Sequence, residues 1–222
     1  LVVFTSDHGD YLGDHWMGEK DLFHAPSVRV PLIIADPASE CDATRGTVSD
    51  ALVAAIDVVP TILDYFGGDE VPHIIEGTSL RPLLHGQQHG LRQVVISEYD
   101  YSFCQARRRL GVAIPDAKLT MLFDGRWKYV HAETFEPLLY DLKNDPDELV
   151  NLAGYLEHAS EVERLRALHF EWTRQHHSRI TRSAEQVEAM TDAREPPGII
   201  IGYLDQEELE SDGLEMPTHS VE

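Results

Sequence analysis

Residues 1–34 read LVVFTSDHGDYLGDHWMGEKDLFHAPSVRVPLII, and this stretch decides the fold. Leu1–Thr5 is apolar and rich in β-branched residues. It predicts a strand buried on both faces, as in a parallel sheet. Ser6–Lys20 is polar and punctuated by Gly9, Gly13 and Gly18, which predicts a loop. Val28–Ala35 (VRVPLIIA) is a second strand-like run, and its Pro31 pushes it towards an edge or a bulge. No Met precedes Leu1, and the opening lacks both the charged region and the small-residue cleavage site of a signal peptide. A buried strand needs neighbours, so the expectation is a fragment that starts inside a fold.

The loop carries the chemistry. Asp7 and His8 directly follow the first strand, where open α/β sheets bind their ligands. A carboxylate oxygen beside an imidazole nitrogen suits Mn, Zn or Fe better than Ca or Mg, which prefer oxygen donors alone. Two ligands do not complete a site, so further ones must come from elsewhere. On the residues alone, a capping Asp and a surface His are the commoner reading of such a pair. Lys20 ends the loop, and its ammonium can neutralise an anionic substrate or a leaving oxygen. His15 and His24 can touch an anion or donate a proton. Each of these three also reads as an ordinary loop residue.

Farther on, Asp57 can cap a helix that has Pro60 in its first turn and Gly67-Gly68 at its end. Ile62, Leu63 and Phe66 share one face of that helix. The segment 72–90 reads as a loop around Ser79-Leu80-Arg81-Pro82-Leu83-Leu84. From about residue 94 the pattern changes to short strands: Val94–Ser97, Leu119–Asp124, Trp127–His131 and Leu138–Asp141. Asp124-Gly125 is a strong hairpin turn. Together these predict a small antiparallel sheet. Val162, Leu165, Leu168 and Trp172 then recur at helical spacing and give one apolar face.

The 222 residues contain 18 Lys+Arg and 39 Asp+Glu, a formal charge of −21, with 42% hydrophobic residues. The hydrophobic content excludes general disorder. The acidity argues against nucleic acid and anionic membrane surfaces as partners, and no apolar run is long enough to span a bilayer. Two cysteines, Cys41 and Cys104, exclude a disulfide scaffold. Much of the charge lies at the end: from Glu195 onward the chain has Asp205, Glu207, Glu208, Glu210, Asp212, Glu215 and Glu222, with no Lys or Arg. Ile199-Ile200-Ile201 interrupts this tail as a docking segment.

The segment TSDHGDYLGDHWMGEKDLFHAPSVRVPLII resembles the second metal-binding segment of the sulfatase branch of the alkaline phosphatase superfamily. DVVPTILDYFG followed by EGTSLRPLL resembles that family's next two markers, and RWKYV followed by LYDLKNDPDELVNLA resembles its C-terminal subdomain. The Asp-His pair and the Gly-Asp-His-x-x-Gly-x-Lys loop look most like phosphonate monoester hydrolases and related arylsulfatase-type phosphodiesterases. The resemblance implies an α/β, alkaline-phosphatase-like fold. Residues 1–92 would be the C-terminal part of the core domain with its large mixed sheet. Residues 93–180 would be a small antiparallel-sheet subdomain with a closing helix, and 181–222 an acidic tail for docking or oligomerisation.

It further implies a divalent metal, manganese first and zinc, iron or calcium as alternatives, held in part by Asp7 and His8. Lys20 would bind substrate, and Lys20 and His15 would be the catalytic residues. A formylglycine nucleophile made from cysteine would act on a small anionic ester: a phosphate or phosphonate mono- or diester, or a sulfate ester. That nucleophile's motif belongs well before the Asp-His segment. Cys104-Gln105-Ala106-Arg107-Arg108 fits its pattern but follows Asp7 and lacks the downstream Thr-Gly-Arg, so it is read as coincidence. The 222 residues alone are therefore expected to be inactive. A cytoplasmic enzyme assembling as a homo-oligomer is expected. The rival readings are a true sulfatase and a non-catalytic interaction module. Cys41, between Glu40 and Asp42, is assigned no chemistry. Arg107, Arg108 and Arg109 face an anion, a subunit or solvent. Arg126–Tyr129 is read as a hairpin with alternating faces, and His169, His176 and His177 as solvated.

Overall fold

The computed structural model describes residues 1–68, 75–87, 90–175 and 188–190. The first strand, β1 (Val2–Thr5), pairs antiparallel with β2 (Leu32–Ala35), Val2 opposite Ala35 and Thr5 opposite Leu32. This corrects the expectation of a parallel strand buried on both faces. Val2 and Phe4 are 66% and 60% exposed, and Ile33, opposite Phe4, is exposed with them. The physical reason is that no layer among the described residues covers this face of the two-stranded ladder. Pro31 sits just ahead of β2 and so costs the ladder no hydrogen bond.

Between the two strands run the long loop and a single helical turn, α1 (Ala25–Val28), with Pro26 in its first turn. The second helix, α2 (Val58–Phe66), ends at Gly67 as its punctuation requires. Asp57 stands at the N-cap position, but its side chain makes no capping bond to this helix. Its buried carboxylate reaches back to the Ala54 N–H at 2.8 Å and accepts the Thr78 N–H at 2.9 Å. It also accepts both ends of the Arg92 guanidinium at 2.5 Å each. Burial alone would raise its pKa, but the Arg92 fork and the two backbone donors outweigh burial and hold it below the usual carboxylate range. Gly77 is required beside it, because a Cβ there would lie 2.0 Å from the Ile56 carbonyl oxygen. Pro60 and Thr61 are the buried residues of α2, whereas Ile62 and Phe66 share an exposed face. Within the predicted loop, Arg81–Leu84 forms a short helix, α3. Its Arg81 pairs with Asp64 at 2.8 Å, and Ser79 donates to the same carboxylate at 2.6 Å.

The second half follows the sequence pattern closely. After β3 (Val95–Asp100) come α4 (Gln105–Leu110), β4 (Lys118–Phe123), β5 (Trp127–Ala132) and β6 (Leu138–Asp141). The four strands form one antiparallel sheet in the order β3-β4-β5-β6. Asp124 closes the β4–β5 turn by accepting the Arg126 and Trp127 N–H groups at 3.0 and 2.7 Å. Side chains alternate across the sheet. On one face Leu122, Trp127, Tyr129 and Leu139 pack on Leu165 of α5 (Ala159–Gln175), with Val162 and Leu168 beside it. On the other face Met121 and Val130 pack on Phe23, with Val28 alongside. The site loop and the small sheet therefore share a core.

Two local expectations change. His169 is half-buried and not fully solvated: its ring lies 4.5 Å from that of His131, and burial lowers its pKa. His176, His177 and Ile199–Ile201 lie outside the described residues. The arginine cluster is partly interior, since the buried Arg107 donates to the Ser102 carbonyl at 2.8 Å and to Glu188 at 2.8 Å.

Candidate metal-binding and catalytic site

At the end of β1 the chain turns sharply. Ser6 Oγ donates to the His8 carbonyl at 2.7 Å, and the His8 N–H donates to Asp7 Oδ1 at 3.1 Å. Gly9 then passes directly under α1. Its N–H donates to the Ser27 carbonyl at 2.7 Å, and a Cβ at this position would lie 1.8 Å from the Pro26 carbonyl oxygen. No side chain fits there, which fixes glycine and seats the Asp7-His8 turn against the helix.

Three of the predicted site groups converge. His8 Nδ1 lies 2.7 Å from the Gly9 carbonyl oxygen, which can only accept, so Nδ1 carries the proton. That assigns the tautomer and leaves the lone pair on Nε2. Lys20 Nζ lies 3.1 Å from Nε2, and Asp7 Oδ2 lies 3.5 Å from it. The Asp7 carboxylate is open to solvent, 85% exposed. A ring held through one nitrogen by a backbone carbonyl, with the other nitrogen free, is the arrangement of a metal-ligating histidine. The donor set already draws a cation, because the Lys20 ammonium sits on the lone pair that a metal would take. The residues present fit a divalent ion.

His15 takes its described contacts elsewhere. Its ring stacks on His24 at 3.9 Å and meets Tyr11 edge-on at 6.3 Å. Tyr11, which the sequence reading did not single out, is buried, and its hydroxyl lies 2.9 Å from His24 Nδ1. Burial pushes the Tyr11 hydroxyl up to about 12. Burial, and then the neighbouring His15, push His24 down to about 4. His24 is thus a neutral, positioned ring at ordinary pH.

The loop is held in a costly backbone shape. Leu12, His15, Trp16, Glu19 and Leu22 all have positive φ, between 49° and 69°, a region that L-residues seldom adopt. The anchors that hold it include the Tyr11 N–H to the Glu19 carbonyl at 2.8 Å and the Ser27 hydroxyl to the Lys20 carbonyl. A second set reaches across from the small sheet. Lys128, buried in β5, pairs with the buried Glu148 at 2.5 Å and donates to the Phe23 carbonyl at 2.8 Å. Glu148 accepts the Ala25 N–H at 2.6 Å. The two carbonyl and amide groups flanking His24 are thereby tied to the sheet. The hairpin reading of Arg126–Tyr129 holds, with Trp127 and Tyr129 on one face and Lys128 on the other.

Cys104 precedes α4 in a small apolar cluster with Tyr101, Val112 and Ala117, 3.4 Å from the Tyr99 hydroxyl. Cys41 is buried, and burial followed by the nearby Asp36 raises its pKa.

Residues 13–175 match the family described as N-sulphoglucosamine sulphohydrolase, C-terminal. The multifunctional alkaline phosphatase superfamily protein PehA of Trinickia caryophylli is 36% identical over 183 residues, 81% of this chain and 35% of its own. An arylsulfatase of Clostridium perfringens is 31% identical over 168 residues, 76% of this chain and 32% of its own. Among solved structures, the phosphonate monoester hydrolase of Agrobacterium radiobacter superposes with a TM-score of 0.71 at 33% identity, covering 80% of this chain and 35% of that one. The chain thus spans about a third of the length of these relatives. It belongs to the sulfatase branch of the alkaline phosphatase superfamily, matching a C-terminal portion of relatives that include phosphonate monoester hydrolases and arylsulfatases.

Proposed function

We propose that these residues form part of the active site of a metal-dependent hydrolase acting on phosphate or phosphonate mono- and diesters, and on sulfate esters. The observation that carries this reading is the convergence of the Asp7 carboxylate, the His8 Nε2 lone pair and the Lys20 ammonium within 3.5 Å of one nitrogen. Asp7 and His8 are two of the metal ligands, with the remaining ligands and a formylglycine nucleophile supplied from outside residues 1–222. When bound, a divalent ion, manganese first, supplies Lewis acidity to the ester oxygens.

This chain's residues then do the following. The Gly9 carbonyl holds the His8 tautomer. Asp7 stays ionised beside it. Lys20, released from Nε2, places its positive charge on the anion and stabilises the charge that develops on the leaving oxygen. His15, stacked on the neutral His24, is a candidate proton donor at the rim. The exposed apolar groups Val2, Phe4, Ile33 and Phe66 are covered, on this reading, by the rest of the protein, which in the relatives is two-thirds of the length.

The test is kinetic, on the full-length protein with an aryl phosphonate monoester, an aryl phosphodiester and an aryl sulfate. Lys20→Ala is expected to lower kcat/KM by about 10²–10³-fold while metal content is unchanged. Full activity on all three esters after Lys20→Ala would sink the reading. A preference for the sulfate favours the true-sulfatase alternative. An inactive, metal-free wild-type protein that assembles stably favours the interaction module.

A further inference from the structure

A second donor cluster lies at the other end of the β1–β2 ladder. Asp36, Cys41 and His85 each offer one ligand atom, and these atoms lie within 4.8 Å of one another. Asp36 follows Ala35, which pairs with Val2, whereas Asp7 follows Thr5, which pairs with Leu32. The length of the ladder, about 10 Å at 3.3–3.4 Å per residue, therefore separates the two places. We infer that Asp36, Cys41 and His85 form a structural metal site for a zinc-like dication, distinct from the Asp7–His8 site.

Two buried polar atoms point to an occupant. Asp36 Oδ2 and His85 Nε2 are both buried without a hydrogen-bond partner, although they face each other at 3.9 Å. The Asp36 side chain is wholly buried. Its other oxygen is already used, accepting the Ala38 N–H at 2.9 Å. Orphaned buried groups of this kind are costly and call for a partner. A thiolate, an imidazole and a carboxylate are the donors zinc takes in tetrahedral sites. A dication with Cys41 thiolate, Asp36 carboxylate and neutral His85 is electroneutral, which makes its burial tolerable.

The geometry is close. In a tetrahedral zinc site such donors stand roughly 3.3–3.6 Å apart, so the widest pair here would close by little more than about 1 Å. The three segments are already held together. Arg45 donates to the Asp36 and Ala38 carbonyls at 3.3 Å each, and the Cys41 N–H donates to the Ala38 carbonyl at 3.1 Å. The Thr44 hydroxyl bonds the Leu84 carbonyl beside His85. Burial and the adjacent carboxylate keep the Cys41 thiol protonated without metal, so loading releases a proton.

The test is cobalt loading of the full-length protein, read by near-ultraviolet thiolate-to-cobalt charge transfer and by elemental analysis. Wild type and Asp7→Ala are both expected to show the thiolate band, and Cys41→Ser to lose it with one equivalent of metal. Should Cys41→Ser not fold, Asp36→Asn is read instead, and at least about tenfold weaker metal binding is expected. Absence of the thiolate band in wild type overturns the inference, leaving the cluster as a buried Asp36–His85 ion pair. A band that persists unchanged in Cys41→Ser, or undiminished binding in Asp36→Asn, also overturns it.

Discussion

The site loop, residues 6–28, and the four-stranded sheet, residues 95–141, obey opposite rules. In the loop, five non-glycine residues hold positive φ and the key carboxylate is open to solvent. In the sheet, β4 and β5 present buried side chains to α5 on one face and to Phe23 on the other. The difference shows where stability is generated and where it is spent. The sheet holds the loop, and the Lys128–Glu148 pair, set against the backbone of Phe23 and Ala25, is the joint between them.

Breaking that joint is the most severe test of the contrast. Lys128→Ala leaves Glu148 as an uncompensated buried charge and is expected to cost about 3–5 kcal/mol in urea unfolding. Replacing both partners with apolar residues removes the unpaired charge but leaves the Phe23 carbonyl and the Ala25 N–H without partners, so it is expected to recover only part of that stability and to lower activity, because the loop loses its anchors. A double variant with full activity would show that the loop holds its own shape. Next in size, Leu165→Ala removes a fully buried side chain from the core beneath α5 and is expected to cost about 2–5 kcal/mol. Its effect falls on stability, measured by thermal unfolding, and leaves KM unchanged at low temperature.

Gly9→Ala acts in the opposite way. The added methyl collides with the Pro26 carbonyl, so the Asp7-His8 turn must move. A stability loss of about 1–3 kcal/mol is expected from overpacking, together with a loss of metal affinity disproportionate to it. The smallest expected effect is electrostatic. His24 has its pKa lowered to about 4 from 6.5, so the fold favours its neutral form. Its contribution is complete above about pH 6.5 and is lost as the pH falls towards 4. Urea midpoints measured across that window should fall less in His24→Gln than in wild type.

Legibility from sequence divides along the same line. The sheet was readable because alternation, the Asp124-Gly125 turn and the spacing of Val162, Leu165 and Leu168 are local signals of burial. The burial of Lys128 was not, because a lysine in a strand reads as solvent-facing until Glu148 is brought to it from another loop. Leu1–Thr5 is legible as a strand, but its partner is not: the pairing with β2 is antiparallel, and the apolar pattern specifies a covering neighbour that the described residues do not contain. Asp57 holds the cap position that its place in the sequence suggests, but Arg92, far along the chain, claims its carboxylate. Asp7, His8 and Lys20 were found through residue type and family pattern. Their convergence depends on the Gly9 close approach and on a carbonyl choosing a tautomer, neither of which any spacing encodes. Asp36, Cys41 and His85 had no sequence signal at all, because the three are scattered over separate segments.

Asp7 and His8 as metal ligands carry the proposed function. The decisive measurement is the metal content of the full-length protein, by elemental analysis, in wild type, Asp7→Ala and His8→Ala. Loss of one equivalent in both variants, with folding intact by circular dichroism, is the predicted result. Wild-type metal content in folded Asp7→Ala and His8→Ala would contradict it.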